Sequence, residues 1–308
     1  MMNRRLFLLG LAALSACDEA SVVTAASPHV KRMAITMDDF NLDFDIGLSR
    51  EARNENILEA FDAVNHQAAG FVTGAMVDST WGQDVLKSWK DRGHLIENHT
   101  WSHHHANEVS SETYISDIEE NDHFLSDATY DATFFRFPFL DDGKDRHQQE
   151  ALFAGLNGLR LTNAPVTIDT IDWFTTSRLE ARLREDPATD LSPYREYYVE
   201  MCVALANHWD AAARALGFAS LPHLTLMHHN ILNGHFLKDV LLALKADGWV
   251  FVDAAAALAF TPYHPIPNEP THGRNWLTLK SRELDISVPP IPDKYSSFGS
   301  KEMDALGL

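Results

Sequence analysis

The chain has 308 residues, 45% of them hydrophobic, enough to build one full-sized core. Its 25 Lys and Arg face 44 Asp and Glu, a formal net charge of −19, which argues against a nucleic-acid partner or an anionic lipid surface held through clustered basic residues. A neutral or cationic substrate suits it better, and two cysteines, Cys17 and Cys202, are too few for a disulfide scaffold.

Arg4 and Arg5 precede an apolar run over residues 6–16, short of the ~20 residues that span a bilayer. A positive segment followed by a short apolar one is the layout of a secretory signal. Leu14-Ser15-Ala16-Cys17 resembles a bacterial lipobox, whose cysteine is lipidated and becomes the mature N-terminus. Asn3-Arg4-Arg5-Leu6-Phe7-Leu8 resembles a twin-arginine export signal. Plain cleavage further on, near Val23-Thr24-Ala25-Ala26, is the alternative. The expectation is an exported protein on the periplasmic or envelope side, with residues 1–26 as leader and linker. Membrane attachment would come only through a lipid anchor on Cys17.

The body alternates strand-like and helix-like segments. Residues 33–37 form an apolar strand that runs into two aspartates. Helical spacing of Ile57, Leu58, Phe61 and Val64 marks residues 54–67, and 70–77 reads as a strand. Residues 84–92 are helical until Gly93, and 94–97 form the next strand. Ser110-Ser111-Glu112 opens a long helix to about Leu125. Strands at 133–135, 159–161, 166–168, 221–227 and 249–252 follow, with helices at 146–154 and 236–246 among them. Strands separated by helices of this length imply a parallel sheet, open or closed into a barrel. Over 175–217 two helices run together without a strand, and an excess of this kind often covers a site. Cys202 sits in the second helix among apolar neighbours and reads as a buried, inert thiol. From residue 264 the chain is proline-rich and weakly periodic, a tail wrapped on the surface or partly mobile.

Chemistry-bearing residues gather at five strand ends. Asp38-Asp39 ends the first, at the edge where parallel barrels place their catalysis; alone, such a pair is usually a solvated loop or a helix cap. His99-Thr100-Trp101-Ser102-His103 sets two imidazoles four apart, and on a helical turn both would reach one ion. Two histidines and a carboxylate, with a position left for water, suit Zn²⁺ or a similar divalent ion. His104 and His105 follow directly, so a bland polar loop or an adventitious metal run remains open. Arg136 follows a third strand and is able to lock a carboxylate. Asp169-Thr170-Ile171-Asp172-Trp173 ends a fourth, and Leu224-Thr225-Leu226-Met227-His228 a fifth. Singly these read as a surface Arg, a cap beside a core Trp, and a structural His.

Taken in order, the five resemble the motifs of the polysaccharide deacetylases (the NodB-homology family, carbohydrate esterase family four). The resemblance covers about residues 33–260 and is most specific in Thr-x-Asp-Asp, His-Thr-x-x-His and Asp-x-x-Asp-Trp. It implies an α/β fold, a distorted (β/α) barrel of seven to eight strands, over residues 27–263 with the two-helix insertion at 175–217 and the tail at 264–308. It further implies a metal-dependent hydrolase removing acetyl groups, N-acetyl above all, from a poly- or oligosaccharide. Asp39, His99 and His103 would hold one divalent ion, zinc first, with cobalt, manganese or nickel as alternatives. Asp38 would be the general base and His228 the general acid. Arg136 would orient Asp38, and Asp172 would hold Arg136. Trp173 would wall the sugar groove, Leu226 would line the acetyl pocket, and the Phe139 amide would help bind the oxyanion. The chain departs from the family pattern at Met37, where Phe is usual, and at Phe139, where Tyr is usual, so a hydroxyl contact to substrate is lost. The long insertion is expected to narrow the groove and favour chain ends or short oligomers. A non-sugar amidohydrolase and a catalytically decayed carbohydrate-binding envelope protein are the competing readings.

Overall fold

Parallel pairing throughout is what places the site, because it brings every chemistry-bearing strand end to one edge. The computed structural model describes residues 29–42 and 45–308; the leader and Cys17 lie outside the described residues. The first apolar segment forms two short strands, β1 (Arg32–Ala34) and β2 (Thr36–Asp39), interrupted at Ile35. Then follow α1 (Arg50–Val64), β3 (Ala69–Val72), α2 (Gly74–Val77), α3 (Thr80–Asp91) and β4 (Leu95–Asn98). Next come α4 (Ser111–Asp127), β5 (Phe134–Phe135), α5 (Arg146–Leu159), β6 (Thr162–Asn163) and β7 (Ile168–Asp169). The long crossover α6 (Asp172–Glu185) and α7 (Ser192–Ala215) leads to β8 (Pro222–His228), α8 (Ile231–Ala246), β9 (Val250–Phe251) and α9 (Ala254–Leu258). Two helices close the chain, α10 (Trp276–Glu283) and α11 (Ser300–Leu306).

The sheet order is β6-β5-β4-β3-β2-β8-β1-β9, with β7 also on β8, and every one of these pairings is parallel. Because β1 and β2 are one chain segment, β8 runs alongside both, pairing Ala34 with Leu224 and then Asp38 with His228. No ladder joins β6 to β7 among the described residues, so the α/β barrel is distorted and open there.

Local chemistry explains the boundaries. Ser110 caps α4 by accepting from the Thr113 amide, Asp145 caps α5 and Asn230 caps α8, each supplying an oxygen to an otherwise unpaired N–H. Two expected strands are shorter or displaced. Residues 70–77 turn helical at Gly74, where an added Cβ would lie 2.4 Å from Asn121 and Trp101, so only glycine allows this approach. Residues 159–161 finish α5 through Arg160 in the left-handed region, and the strand starts at Thr162. The segment after 264, read as a loose wrap, buries Trp276, Leu277, Tyr295 and Met303 in the main core. Its end is fastened to α6, where Arg178 donates to Asp304 Oδ1 at 2.7 Å and Arg182 to Gly307 O at 2.9 Å. Within the insertion only α6 reaches the site edge; α7 buries Tyr194, Tyr198, Met201 and Leu205 as part of the helical layer. Cys202 lies there at 1% exposure, and burial pushes its thiol pKa up, as an inert thiol requires.

Candidate active site

Asp39 ends β2 with φ 74°, and Phe40 follows at 62°, two non-glycine residues in the left-handed region. Such strain persists only where surroundings enforce it. Here the Phe40 amide donates to Asp38 O and the Thr73 amide to Asp39 O, fixing a sharp bend that turns Asp39 towards β4. His99 leaves β4 directly, and the stretch to His103 is a looped bend rather than the helical turn expected from the i, i+4 spacing. Thr100 (φ 66°) and His103 (φ 57°) are left-handed and break any helix. The loop is instead shaped by side chains. Asn98 Oδ1 accepts from the Thr100 amide, Thr100 Oγ1 from the His103 amide, and Asp117 from the Ser102 amide.

The result is a three-donor cluster. Asp39 Oδ1 lies 3.3 Å from His99 Nε2 and 2.9 Å from His103 Nε2, and the donor atoms of the three residues sit within 4.8 Å of one another. His99 Nδ1 is 2.8 Å from Arg136 O. A carbonyl only accepts, so Nδ1 carries the proton and Nε2 offers its lone pair towards Asp39, the usual support for a metal-binding imidazole. Asp39 Oδ1 is itself buried with no hydrogen-bond donor. A buried carboxylate oxygen without a partner, facing two imidazole nitrogens, fits a divalent cation.

Asp38 stands beside this cluster, 2% exposed, with Oδ2 3.8 Å from His99 Nε2. Its Oδ1 accepts from Arg136 Nη1 at 2.7 Å. Arg136 is fully buried, donates also to Thr36 Oγ1 at 2.5 Å and Ala164 O at 3.2 Å, and lies with its guanidinium 4.1 Å from the Phe71 ring centre. The expectation that Asp172 holds Arg136 is corrected here. Asp172 Oδ1 accepts from His228 Nδ1, and Oδ2 from the His228 amide, Asn230 Nδ2 and Asn233 Nδ2, each at 2.8 Å. The physical reason is position: Asp172 begins α6 beyond β7, next to the end of β8 and not beside β5. Because a carboxylate only accepts, His228 Nδ1 carries a proton, and the imidazole lines the cavity. Burial would depress its pKa, but Asp172, then Asp39 and Asp38, outweigh burial and raise it to about 10. Asp169 also lines the cavity, and burial, aided by Asp172 and Asp38, raises its carboxyl to about 6 against the amide of Ile171.

The cavity above these groups has a volume of about 580 Å³, within the range of small-ligand pockets. Leu226 lies in its floor at 7% exposure, while Trp173 and Phe139 stand at its rim, about half exposed. Phe139 is left-handed (φ 57°) and stacks on the His105 ring at 3.6 Å. The sequence reading missed Thr36, Asn230 and Asn233 as supports, and Asp169 and Phe298 as cavity residues. Thr36 and Asp169 belong to motifs already quoted, and Asn233 follows His228 by five positions. Phe298 carried no local signal.

An α/β barrel with a carboxylate and an imidazole flanking a candidate metal site at its C-terminal edge is an arrangement suited to hydrolysis. The family model for polysaccharide deacetylase matches residues 25–159. Over that stretch the chain resembles the polysaccharide deacetylases of carbohydrate esterase family four, hydrolases acting on acetyl amides of polysaccharides that generally use a divalent metal. No curated relative matches the chain. Among solved structures, it is similar to the chitin deacetylase from Colletotrichum lindemuthianum, with 18% identity, 76% of this chain and 91% of that one covered, and a TM-score of 0.52. It is similar to the peptidoglycan deacetylase PdaC from Bacillus subtilis, with 17% identity, coverage of 75% and 91%, and a TM-score of 0.51. It is also similar to a carbohydrate esterase family four pseudoenzyme from Bacillus anthracis, with 16% identity, coverage of 75% and 66%, and a TM-score of 0.51. At these identities the likeness is one of fold.

Proposed function

We propose that this chain is a metal-dependent deacetylase that hydrolyses acetyl groups, N-acetyl foremost, on a poly- or oligosaccharide. One observation carries this reading: the Asp39–His99–His103 donors lie between an Arg136-held carboxylate and an Asp172-held imidazole, all facing one cavity. A divalent ion on the three donors, zinc first with cobalt, manganese or nickel as alternatives, would supply Lewis acidity and a water of lowered pKa.

The side chains do the rest. Asp38 is oriented by Arg136, and its second oxygen, beside His99, takes the proton from the attacking water. His228, protonated through neutral pH, gives a proton to the departing sugar nitrogen, while Asp172 holds the ring by Nδ1 and stabilises its charge. The Phe139 amide lends an oxyanion contact. Leu226 receives the acetyl methyl and Trp173 offers a face to the sugar. Export with a lipid on Cys17 accompanies this role, supported by the leader motif; Cys17→Ala should move the protein from the membrane to the soluble fraction, and unchanged partitioning would sink the anchor.

The deciding experiment measures acetate release across acetylated glycans and oligomers, with metal content determined in the same preparations. Wild type should bind one equivalent of metal and release acetate. Asp38→Asn should keep the metal and lose about 10²–10⁴-fold in rate. Metal binding without acetate release from any acetylated glycan would refute the reading.

A further inference from the structure

Phe298 belongs to the C-terminal segment, far outside the matched residues, yet it lines the cavity above the candidate metal site. Its ring is 49% exposed and meets Trp173 edge-to-face at 4.9 Å, with Trp173 itself 42% exposed. With Phe139, also about half exposed, these rings form a group of open aromatic faces around one cavity rather than a single scattered residue.

The backbone is built to hold it there. Ser297 (φ 50°) and Phe298 (φ 59°) are consecutive left-handed non-glycine residues, a conformation that costs free energy and needs enforcement. Gly299 follows at φ 75°, and an added Cβ there would fall 1.9 Å from Tyr197 Oη, so the strand of chain is pressed against α7. α11, directly after it, is tied to α6 by Arg178 and Arg182. The same segment also reaches the opposite rim. Thr271 accepts from the Asp142 amide and donates to the Leu140 carbonyl, and the Gly273 amide donates to Leu140 O at 3.1 Å, pinning the loop that carries Phe139. The C-terminal segment therefore supplies one rim ring, Phe298, and fixes the loop of another, Phe139.

Resting on the deacetylase reading, we propose that Phe298 is a substrate-binding residue: its open face stacks on the apolar C–H face of a sugar unit next to the one held at Trp173. The two rings, set at 65°, form a corner that engages a short oligosaccharide or a chain end.

The test compares short N-acetylglucosamine oligomers, from the dimer upward, on wild type, Phe298→Ala and Phe298→Tyr. Losing an aromatic contact predicts a rise in KM of about three- to tenfold for Phe298→Ala with kcat kept, and near-wild-type values for Phe298→Tyr, which keeps the ring. An unchanged KM in Phe298→Ala, a fall in kcat alone, or an equal loss in both variants would each overturn the assignment. If wild type releases no acetate, the deacetylase reading fails separately, and titrating the same oligomers against the three proteins still decides whether this ring contacts sugar.

Discussion

Asp172→Asn tests the arrangement most sharply, because it removes one charge while keeping shape. Asp172 is fully buried and accepts four hydrogen bonds, two of them from His228. It is the largest favourable influence on the His228 proton, and without it burial acts against only the more distant Asp39 and Asp38. The imidazole pKa should then fall from about 10 towards the ordinary 6.5. Since Asp39 and Asp38 keep part of the effect, a fall of roughly one to two pH units is expected, each worth about 1.4 kcal/mol. A general acid works only when protonated, so the fall removes activity from the alkaline side. The assay is the pH profile of kcat for acetate release, wild type and variant both saturated with zinc so that any influence of the ion is shared. The alkaline limb should move to lower pH while the acid limb, set by the base, stays. A limb that does not move, with full kcat, would refute both the Asp172–His228 pairing and the role of His228 as acid.

Arg136→Met should strand Asp38 in a site only 2–3% exposed, costing about 3–5 kcal/mol of stability, measured by urea unfolding. Adding Asp38→Asn should recover much of that loss, and a double variant no more stable than Arg136→Met would contradict the ion pair. A second expectation concerns acid. Burial holds His66 and His94 neutral with pKa values lowered to about 4, and His229 to about 3. Their folded values lie below the unfolded 6.5, so the stability they permit is full above pH 6.5 and is lost as pH falls through their folded values. Each should cost on the order of 2 kcal/mol by pH 5. The urea midpoint should drop over this window, and His94→Gln should flatten the drop; an unchanged slope would show that His94 carries no such linkage.

The strand ends were legible because two independent patterns coincide there. Short strand-like segments end at Asp38, His99, Arg136, Asp169 and His228, and the helices between them force parallel strands whose ends share one edge. What could not be read is anything set by geometry between strands. Asp172 lies 36 residues after Arg136 and 56 before His228, as their numbers show. Only the register of β7 on β8, Asp169 beside Leu226, decides which of the two it faces. The helical turn expected at His99–His103 failed for a related reason: the loop is dictated by Asn98 and Asp117, and Asp117 lies on α4, beyond the motif. Past residue 264, proline hid two helices whose buried faces show only when they meet the barrel.

Charge explains why these residues belong together. Asp38, Asp39, Asp169 and Asp172 gather around one end of the barrel, where Arg136 pairs with Asp38 and His228 with Asp172, and Arg53, which donates to Asn41 O, also lines the cavity. Arg136 is committed to Asp38 and His228 to Asp172, which leaves Asp39 facing the Nε2 atoms of His99 and His103. Burial acts to raise the Asp39 carboxyl, but His103, His99 and His228 outweigh it and hold it well below the usual carboxylate range. An ionised carboxylate beside two imidazoles is a donor set that suits a divalent ion, and the two committed pairs keep Asp38 and His228 from collapsing onto Asp39 instead.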